Sequence, residues 1–100
     1  MLWAIYCLDK AGTAAYRAQR MLPHLDYLHQ RKSILVLAGA TLTDNESAAT
    51  GSLFIINVQT RSEAETFSAG DPFTKAGIFE RIIITRMRKS QWNPQAADNA

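Results

Sequence analysis

Very few side chains in this chain of 100 residues can exchange a proton near neutral pH. There are two histidines, His24 and His29, and a single cysteine, Cys7. Because imidazole titrates near neutral pH, histidine is the most common general acid or base in enzymes. Cys7 lies between Tyr6 and Leu8 in an apolar run, which is typical of a buried thiol and not of a nucleophile. If the protein is a catalyst, His24 is the leading candidate for proton transfer.

A carboxylate that could assist His24 occurs much later in the chain, where Asp71 is followed by Pro72. A carboxylate beside an imidazole fixes its tautomer and stabilises its protonated form, which suits proton abstraction followed by elimination or isomerisation. The same two residues also have a structural interpretation, because Asp before a first-turn proline is a common helix N-cap. From spacing alone, capping is the favoured role of Asp71.

The position of His24 on its predicted helix also allows a structural role, as a histidine at the boundary of the packed face. Residues 13–32 carry apolar side chains at three- and four-residue spacing, which predicts a helix with one packed face formed by Ala14, Ala18, Met21, Leu22, Leu25 and Leu28. With about 100° per residue, His24 falls about 90° from the middle of that face, whereas His29 falls nearer to it. We interpret His29 as structural, and we expect Pro23 to kink the helix or to make it restart near Leu22.

The other segments predict an alternation of strands and helices. Continuous apolar runs predict four strands, at residues 2–8, 33–38, 51–58 and 79–87. Thr60 and Glu63 form a capping-box pattern that opens a second helix, which should end near Gly70 and be followed by a short helical turn.

The resulting order, β-α-β-β-α-β, predicts an α+β fold of the ferredoxin-like type, with both helices on one face of an antiparallel sheet. We expect this domain to span residues 1–90 and residues 91–100 to form a polar C-terminal tail. The predicted strands are apolar on both sides, although two helices can cover only one sheet face. A second copy of the chain, in a homodimer or a higher homo-oligomer, would cover the other face, and a nearby cleft would suit a small-molecule ligand.

Composition and charge argue against several classes of partner. The net charge of +2 is small for a nucleic-acid-binding protein. The late basic residues are interpreted as a solvated strand end: Arg81, Arg86, Arg88 and Lys89. The first apolar run meets Asp9 and Lys10 too early for a signal peptide or a membrane span. A lone cysteine fits a reducing compartment, so we expect a cytoplasmic location. From the charge and the short apolar run, we expect neither nucleic-acid nor membrane partners.

No cofactor or metal site is indicated by the sequence. His24 and His29 are five residues apart on a predicted helix and point in different directions, and no further ligands complete a metal set. The five glycines are too dispersed to form a phosphate-binding loop.

Several short motifs, in their order and spacing, resemble the YciI-like (YCII-related) family over about residues 1–88. They are the opening Ile5-Tyr6-Cys7-Leu8-Asp9-Lys10, the helical Pro23-His24-Leu25-Asp26-Tyr27-Leu28, the pair Ala38-Gly39, the strand start Gly51-Ser52-Leu53, and the late segments Asp71-Pro72-Phe73 and Ala76-Gly77-Ile78-Phe79. The resemblance implies a dimeric α/β barrel of ferredoxin-like subunits with a His/Asp pair in the pocket regarded as the active site. One characterised relative is a dehydrochlorinase of a chlorinated hydroxyhydroquinone.

Within this resemblance the family histidine corresponds to His24 and the aspartate to Asp71. It further implies three substrate-pocket residues, which are Tyr6, Ser52 and Phe73. The chain departs from the family where Gly39-Ala40 replaces a frequent Gly-Pro, which affects one wall of the pocket.

Two functions from different classes follow from this reading. The first is a cofactor-independent lyase or isomerase, similar to a dehydrochlorinase, in which His24 transfers protons on a small aromatic or carbonyl-bearing metabolite and Asp71 orients its ring. The second is a non-catalytic dimer that binds a small molecule or a protein through the same cleft, with Asp71 acting as a helix cap alone.

Overall fold

The computed structural model describes residues 1–100 and contains the predicted elements in the predicted order. In chain order they are β1 (Leu2–Asp9), α1 (Ala14–Gln30), β2 (Leu35–Leu42), β3 (Ala49–Asn57), α2 (Arg61–Gly70), α3 (Pro72–Lys75) and β4 (Phe79–Met87). A single turn of 3₁₀ helix, Pro94–Ala97, follows within an exposed C-terminal segment. None of the helices is both long and apolar enough to cross a membrane.

The four strands form one antiparallel sheet in the order β2-β3-β1-β4. In the register of the two central strands, Cys7 lies opposite Ser52 and Ile5 lies opposite Phe54. Because paired residues share a face, all four side chains point to the same side, and all four are buried. The helices pack on this side, where Leu28 joins the core. The fold is the ferredoxin-like plait of the dimeric α/β barrel proteins, as predicted.

The start of α2 also follows the sequence prediction. The Thr60 hydroxyl accepts a hydrogen bond from the Glu63 amide at 3.1 Å, and the Glu63 carboxylate accepts one from the Thr60 amide at 3.2 Å. This reciprocal capping box satisfies amide groups that would otherwise lack partners at the first turn of the helix.

The buried face of α1 differs from the predicted one. Arg17, His24 and Leu28 are its buried residues, whereas Leu22 is 79% exposed and Leu25 is 51% exposed. The prediction was correct for Leu28 and for Met21, which packs against the core. It was wrong for the other apolar residues of that face, because it counted apolar side chains alone and two polar side chains occupy the inner face together with their partners. His29 is exposed, so its assignment to the centre of the packed face was also wrong.

Two element boundaries also need correction. Helix α1 continues through Pro23 from Ala14 to Gln30 and does not restart near Leu22. Strand β2 does not end at Gly39, because it pairs with β3 as far as Leu42, with irregular pairing at both of its ends. The extension brings Gly39 and Ala40 alongside the first half of β3.

The sheet face opposite the helices carries a set of partly or largely exposed apolar side chains. These are Leu2, Tyr6, Leu37, Leu53, Ile55, Ile83 and Met87, and Leu37 is 59% exposed. We call this set the open sheet face. The prediction that the strands are apolar on both sides is therefore confirmed for the central strands.

Two strand glycines provide a matched test of the packing between β1 and β3. A Cβ atom at Gly51 would collide with the backbone carbonyl of Cys7, whereas a Cβ atom at Gly39 would meet nothing within 4 Å. We expect Gly51→Ala to lower the free energy of unfolding by about 2–3 kcal/mol, because two paired strands must move apart.

Urea unfolding followed by circular dichroism measures this change. Gly39→Ala is the control, and its free energy of unfolding should stay within about 0.5 kcal/mol of the wild type. Equal stabilities for the two variants would show that β1 and β3 do not approach as closely as described.

Candidate active site

The structure brings His24 and Asp71 into direct contact, although 47 residues separate them in the chain. The Nδ1 atom of His24 lies 2.7 Å from Oδ1 of Asp71. His24 projects inward from the middle of α1, and Asp71 lies between α2 and α3. The two residues are 6% and 2% exposed. An ion pair or hydrogen bond this well shielded from water is strong, because the surroundings screen it little.

Asp71 is both a helix cap and the partner of His24. Its Oδ1 atom also accepts a hydrogen bond from the Phe73 amide at 2.9 Å, which caps α3, and Pro72 occupies the first turn of that helix. The two interpretations of Asp71 that the sequence left open are therefore compatible. Since proline restricts the backbone and the cap fixes the carboxylate, Asp71 is held in position for His24.

Aromatic rings fix the orientation of the His24 ring. Phe73 stacks on it with centroids 3.8 Å apart and planes 7° from parallel, and Phe54 approaches edge-on with centroids 6.2 Å apart. The second ring nitrogen of His24, Nε2, has no hydrogen-bond partner in the protein. It is not among the fully buried polar atoms without a partner, so it keeps some exposure. Nε2 is therefore the accessible atom of the pair.

Arg17 is a site residue that the sequence reasoning missed. It lies two turns before His24 on the same face of α1 and is 6% exposed. Its Nη1 atom donates to both carboxylate oxygens of Asp9 at 3.0 Å, and its Nη2 atom donates to the Gly51 carbonyl and to Ser52 Oγ at 2.9 Å. Its guanidinium carbon lies 4.7 Å from the centre of the Phe73 ring. The seven-residue spacing from His24 was the available signal, since it places both side chains on one helix face.

A small chamber lies beside the pair, between α1 and the strands β2 and β3. Its volume is about 130 Å³, and His24, Arg17, Ser52 and Phe73 contribute to its walls. Gly39 and Ala40 form part of the wall on β2. We call this space the inner chamber.

Four of the five residues predicted for the site are brought together, and one is not. His24, Ser52 and Phe73 line the inner chamber. Asp71 does not line it but contacts His24 and the Phe73 amide. Tyr6 belongs to the open sheet face, because neighbouring side chains on a strand point to opposite sides and its neighbour Cys7 points toward the helices. A pocket role for Tyr6 beside His24 does not fit this placement.

A larger groove of about 600 Å³ lies elsewhere, between α1 and α2, with Tyr27, Arg31 and Phe67 in its walls. Neither His24 nor Asp71 lines it, so we place the candidate chemistry at the smaller inner chamber. No group of three or more His, Cys, Asp or Glu side chains is arranged to hold a metal ion.

The buried charges around the chamber act on the thiol of Cys7. Burial raises the pKa of Cys7 to about 12, the carboxylates of Asp71 and Asp9 add to this rise, and the Arg17 charge opposes it. Burial also raises the pKa of the Asp9 carboxyl, against the opposing charge and hydrogen bonds of Arg17. Cys7 is therefore a neutral thiol near neutral pH, which does not suit a nucleophile.

Comparison with known proteins identifies the family of the chain. The model of the YCII-related domain matches residues 1–88, which is most of the chain. The chain belongs to the YCII-related family. A curated relative of this YCII-related protein is Protein YciI of Escherichia coli O6:H1, which is 28% identical over 96 residues, covering 89% of this chain and 98% of the relative. Protein YciI of Shigella flexneri matches to the same extent.

Two solved structures are similar to this YCII-related protein. One is the 5-chloro-2-hydroxyhydroquinone dehydrochlorinase TftG from Burkholderia phenoliruptrix AC1100, in complex with 2,5-dihydroxybenzoquinone. It is 34% identical, with a TM-score of 0.82 over 88% of this chain and 94% of that chain. The other is an antibiotic biosynthesis monooxygenase with 10% identity and a TM-score of 0.51, over 89% of this chain and 100% of that chain, which shows a shared fold alone.

The raised pKa of Cys7 predicts a pH dependence of stability. The thiol of the unfolded chain ionises near pH 9.0, whereas the folded thiol stays protonated to about pH 12. Its contribution to stability is therefore complete below pH 9 and is lost as the pH rises above 9. We expect the free energy of unfolding of the wild type to fall by up to about 1.4 kcal/mol per pH unit more steeply than that of Cys7→Ala in this range.

Urea unfolding under reducing conditions, from about pH 8 to about pH 10.5, measures the two slopes. The comparison uses slopes because the smaller side chain changes absolute stability through packing. Parallel pH profiles for the two proteins would contradict a buried neutral thiol.

Proposed function

We propose that this protein is a cofactor-independent lyase or isomerase, similar to a dehydrochlorinase, which acts on a small hydroxylated ring with His24 as general acid and base. The observation that carries the proposal is the state of the two ring nitrogens of His24. Nδ1 is bound to a buried carboxylate, while Nε2 remains accessible beside a chamber. The dehydrochlorinase TftG, at 34% identity and bound to a quinone, supports a ring-shaped substrate.

The hydrogen bond to Asp71 gives His24 a defined role. When the imidazole is neutral, its Nδ1–H group donates a hydrogen bond to Asp71, so Nε2 carries the lone pair and can accept a proton from a substrate hydroxyl. The imidazolium that forms is compensated by the Asp71 carboxylate and lies against the face of Phe73. No change in side-chain positions is required for this transfer, because the cap and the stacked ring hold both groups.

For a chlorinated hydroquinone, proton transfer leads to loss of chloride without an added oxidant. His24 removes one hydroxyl proton, a ring carbonyl forms, and the imidazolium returns the proton to the carbon that bears chlorine. Loss of the proton from a second hydroxyl then drives chloride out and leaves a quinone, so that one proton and one chloride ion are released. Arg17 and the Ser52 hydroxyl, joined at 2.9 Å beside the chamber, would stabilise the negative charge on the substrate oxygen.

We further propose that a second copy of the chain covers the open sheet face. Apolar side chains are exposed on both the central and outer strands of this face, and Tyr6 and Leu53 are each 38% exposed. The fold is that of dimeric α/β barrels, in which two such sheets meet. A cytoplasmic location remains part of the same proposal, since Cys7 is a free thiol.

Replacement of His24 tests the proposed chemistry. We expect His24→Ala to reduce the rate of chloride release from 5-chloro-2-hydroxyhydroquinone by about 10²- to 10⁴-fold, because the general acid and base is lost. His29→Ala is the matched control, as it removes the other, exposed histidine of α1 and should leave the rate unchanged.

Asp71 variants separate catalysis from capping in the same assay. Asp71→Asn keeps an oxygen that can accept from the Phe73 amide and removes the charge, so activity should fall while the free energy of unfolding stays within about 1 kcal/mol. Asp71→Ala should lose both activity and stability. Full turnover by His24→Ala would reject the enzyme and favour a non-catalytic binding module in the same pocket.

Charge placed on the open sheet face tests the dimer. We expect the wild type to sediment as a dimer at micromolar concentrations and Leu53→Glu to sediment as a monomer, because a carboxylate would be buried unpaired in the interface. Leu22→Glu is the control, since Leu22 is exposed on the helical side and should not affect assembly. A monomeric wild type would refute this part of the proposal.

A further inference from the structure

A second cavity adjoins the inner chamber. It has a volume of about 620 Å³ and lies between the β1–α1 loop, the first turns of α1 and the connection between β2 and β3. We call it the outer pocket. Arg17 and Met21 line both cavities, so these two side chains form the wall between them.

The two wall residues differ in their freedom to move. Arg17 is held by four hydrogen bonds, to Asp9, Gly51 and Ser52. Met21 is half-buried against the core and makes no hydrogen bond. An unbranched methionine side chain changes rotamer at little cost in free energy, so Met21 is the wall residue that can move aside when a ligand binds.

The inner chamber is too small for more than one ring. An apolar cavity of about 150 Å³ is known to hold one benzene molecule, and the inner chamber measures about 130 Å³. Pockets that bind most of a metabolite are usually larger, about 300–1,000 Å³. A ring placed at His24 therefore fills the chamber, and any longer substituent must extend beyond it.

The walls of the outer pocket indicate what kind of substituent fits there. Short side chains dominate them, with five alanines: Ala11, Ala14, Ala18, Ala48 and Ala49. Two of its charged residues, Asp9 and Arg17, neutralise each other in an ion pair. The ammonium group of Lys10, the remaining charge, lies near Gly77 in the loop before β4, a residue that does not line the pocket. The hydroxyl groups of its other polar residues, Thr13, Ser47 and Thr50, form hydrogen bonds within the protein, so the pocket suits an uncharged, largely apolar chain.

We propose that the substrate is a single hydroxylated ring bearing an uncharged apolar arm, which passes Met21 into the outer pocket, and that Met21 sets substrate specificity. The inference rests on the proposed function in placing the ring beside His24. It adds a substrate class with two parts, a reacting ring in the inner chamber and an arm that contributes binding outside it.

Binding of defined probes tests this inference without turnover. The probes are 2,5-dihydroxybenzoquinone, the same quinone with a pentyl chain at C3, and the same quinone with a chain of equal length ending in a carboxylate. Calorimetry on the wild type should show the pentyl quinone binding at least tenfold more tightly than the parent, because the chain buries apolar surface. The carboxylate-ended probe should lose most of that gain.

Two substitutions locate the arm. Ala18→Leu fills part of the outer pocket and should weaken the pentyl quinone at least tenfold, with the parent unaffected. Ala15→Leu is the matched control, because Ala15 is exposed on the same helix and lines neither cavity. Met21→Phe, which stiffens the wall, should weaken the pentyl quinone more than the parent; Met21 also lines the inner chamber, so the ratio of the two affinities is the readout for this variant.

The possible results separate this inference from the proposed function. If the parent quinone binds and the pentyl chain gives no gain, or if Ala18→Leu and Ala15→Leu behave alike, the arm does not occupy the outer pocket and the inference alone fails. If neither quinone binds to the wild type, the inference and the ring-binding role of the inner chamber both fail.

Discussion

The site depends on one oxygen atom, Oδ1 of Asp71, which accepts hydrogen bonds from two helices, α3 and α1. One comes from the amide of Phe73 and begins α3, and the other joins His24 on α1. Because the cap fixes the oxygen before any ligand binds, the histidine ring meets a partner whose position is already set. The same short helix carries Phe73 against the ring of His24. Loss of the whole Asp71 side chain would therefore remove the charge, the cap and the support of the stacking ring together.

The elements of the fold could be predicted from the sequence because their signals are local. Apolar runs, a capping box and turn residues specify strands and helices within a few residues of themselves. The extent of β2 could not be predicted in the same way, since it depends on pairing with β3 beyond Gly39. The buried face of α1 could not be predicted from apolar spacing, because Arg17 and His24 are buried through partners on other elements.

For the site as well, residues whose roles depend on distant parts of the chain could not be predicted from local sequence patterns. His24 and Asp71 were identified by resemblance to a family, and neither helical angle nor capping statistics would have selected them. Arg17 was missed because its partners, Asp9, Gly51 and Ser52, lie on two strands whose pairing a single sequence does not reveal. Tyr6 was predicted as a pocket residue, yet the alternation of side chains along β1 directs it to the open sheet face.

The buried charges define the electrostatic surroundings of His24, the proposed base. With His24 neutral, the cluster contains the carboxylates of Asp9 and Asp71 and the guanidinium of Arg17, and therefore carries one net negative charge. In the proposed mechanism, the imidazolium of His24 lies beside this net negative charge, which compensates its positive charge. The same carboxylates oppose ionisation of Cys7, because a thiolate would add a second negative charge. Burial and these carboxylates together raise the pKa of Cys7 to about 12. These fixed charges thus oppose proton loss from the thiol, which leaves His24 as the proposed acid–base group of this cavity.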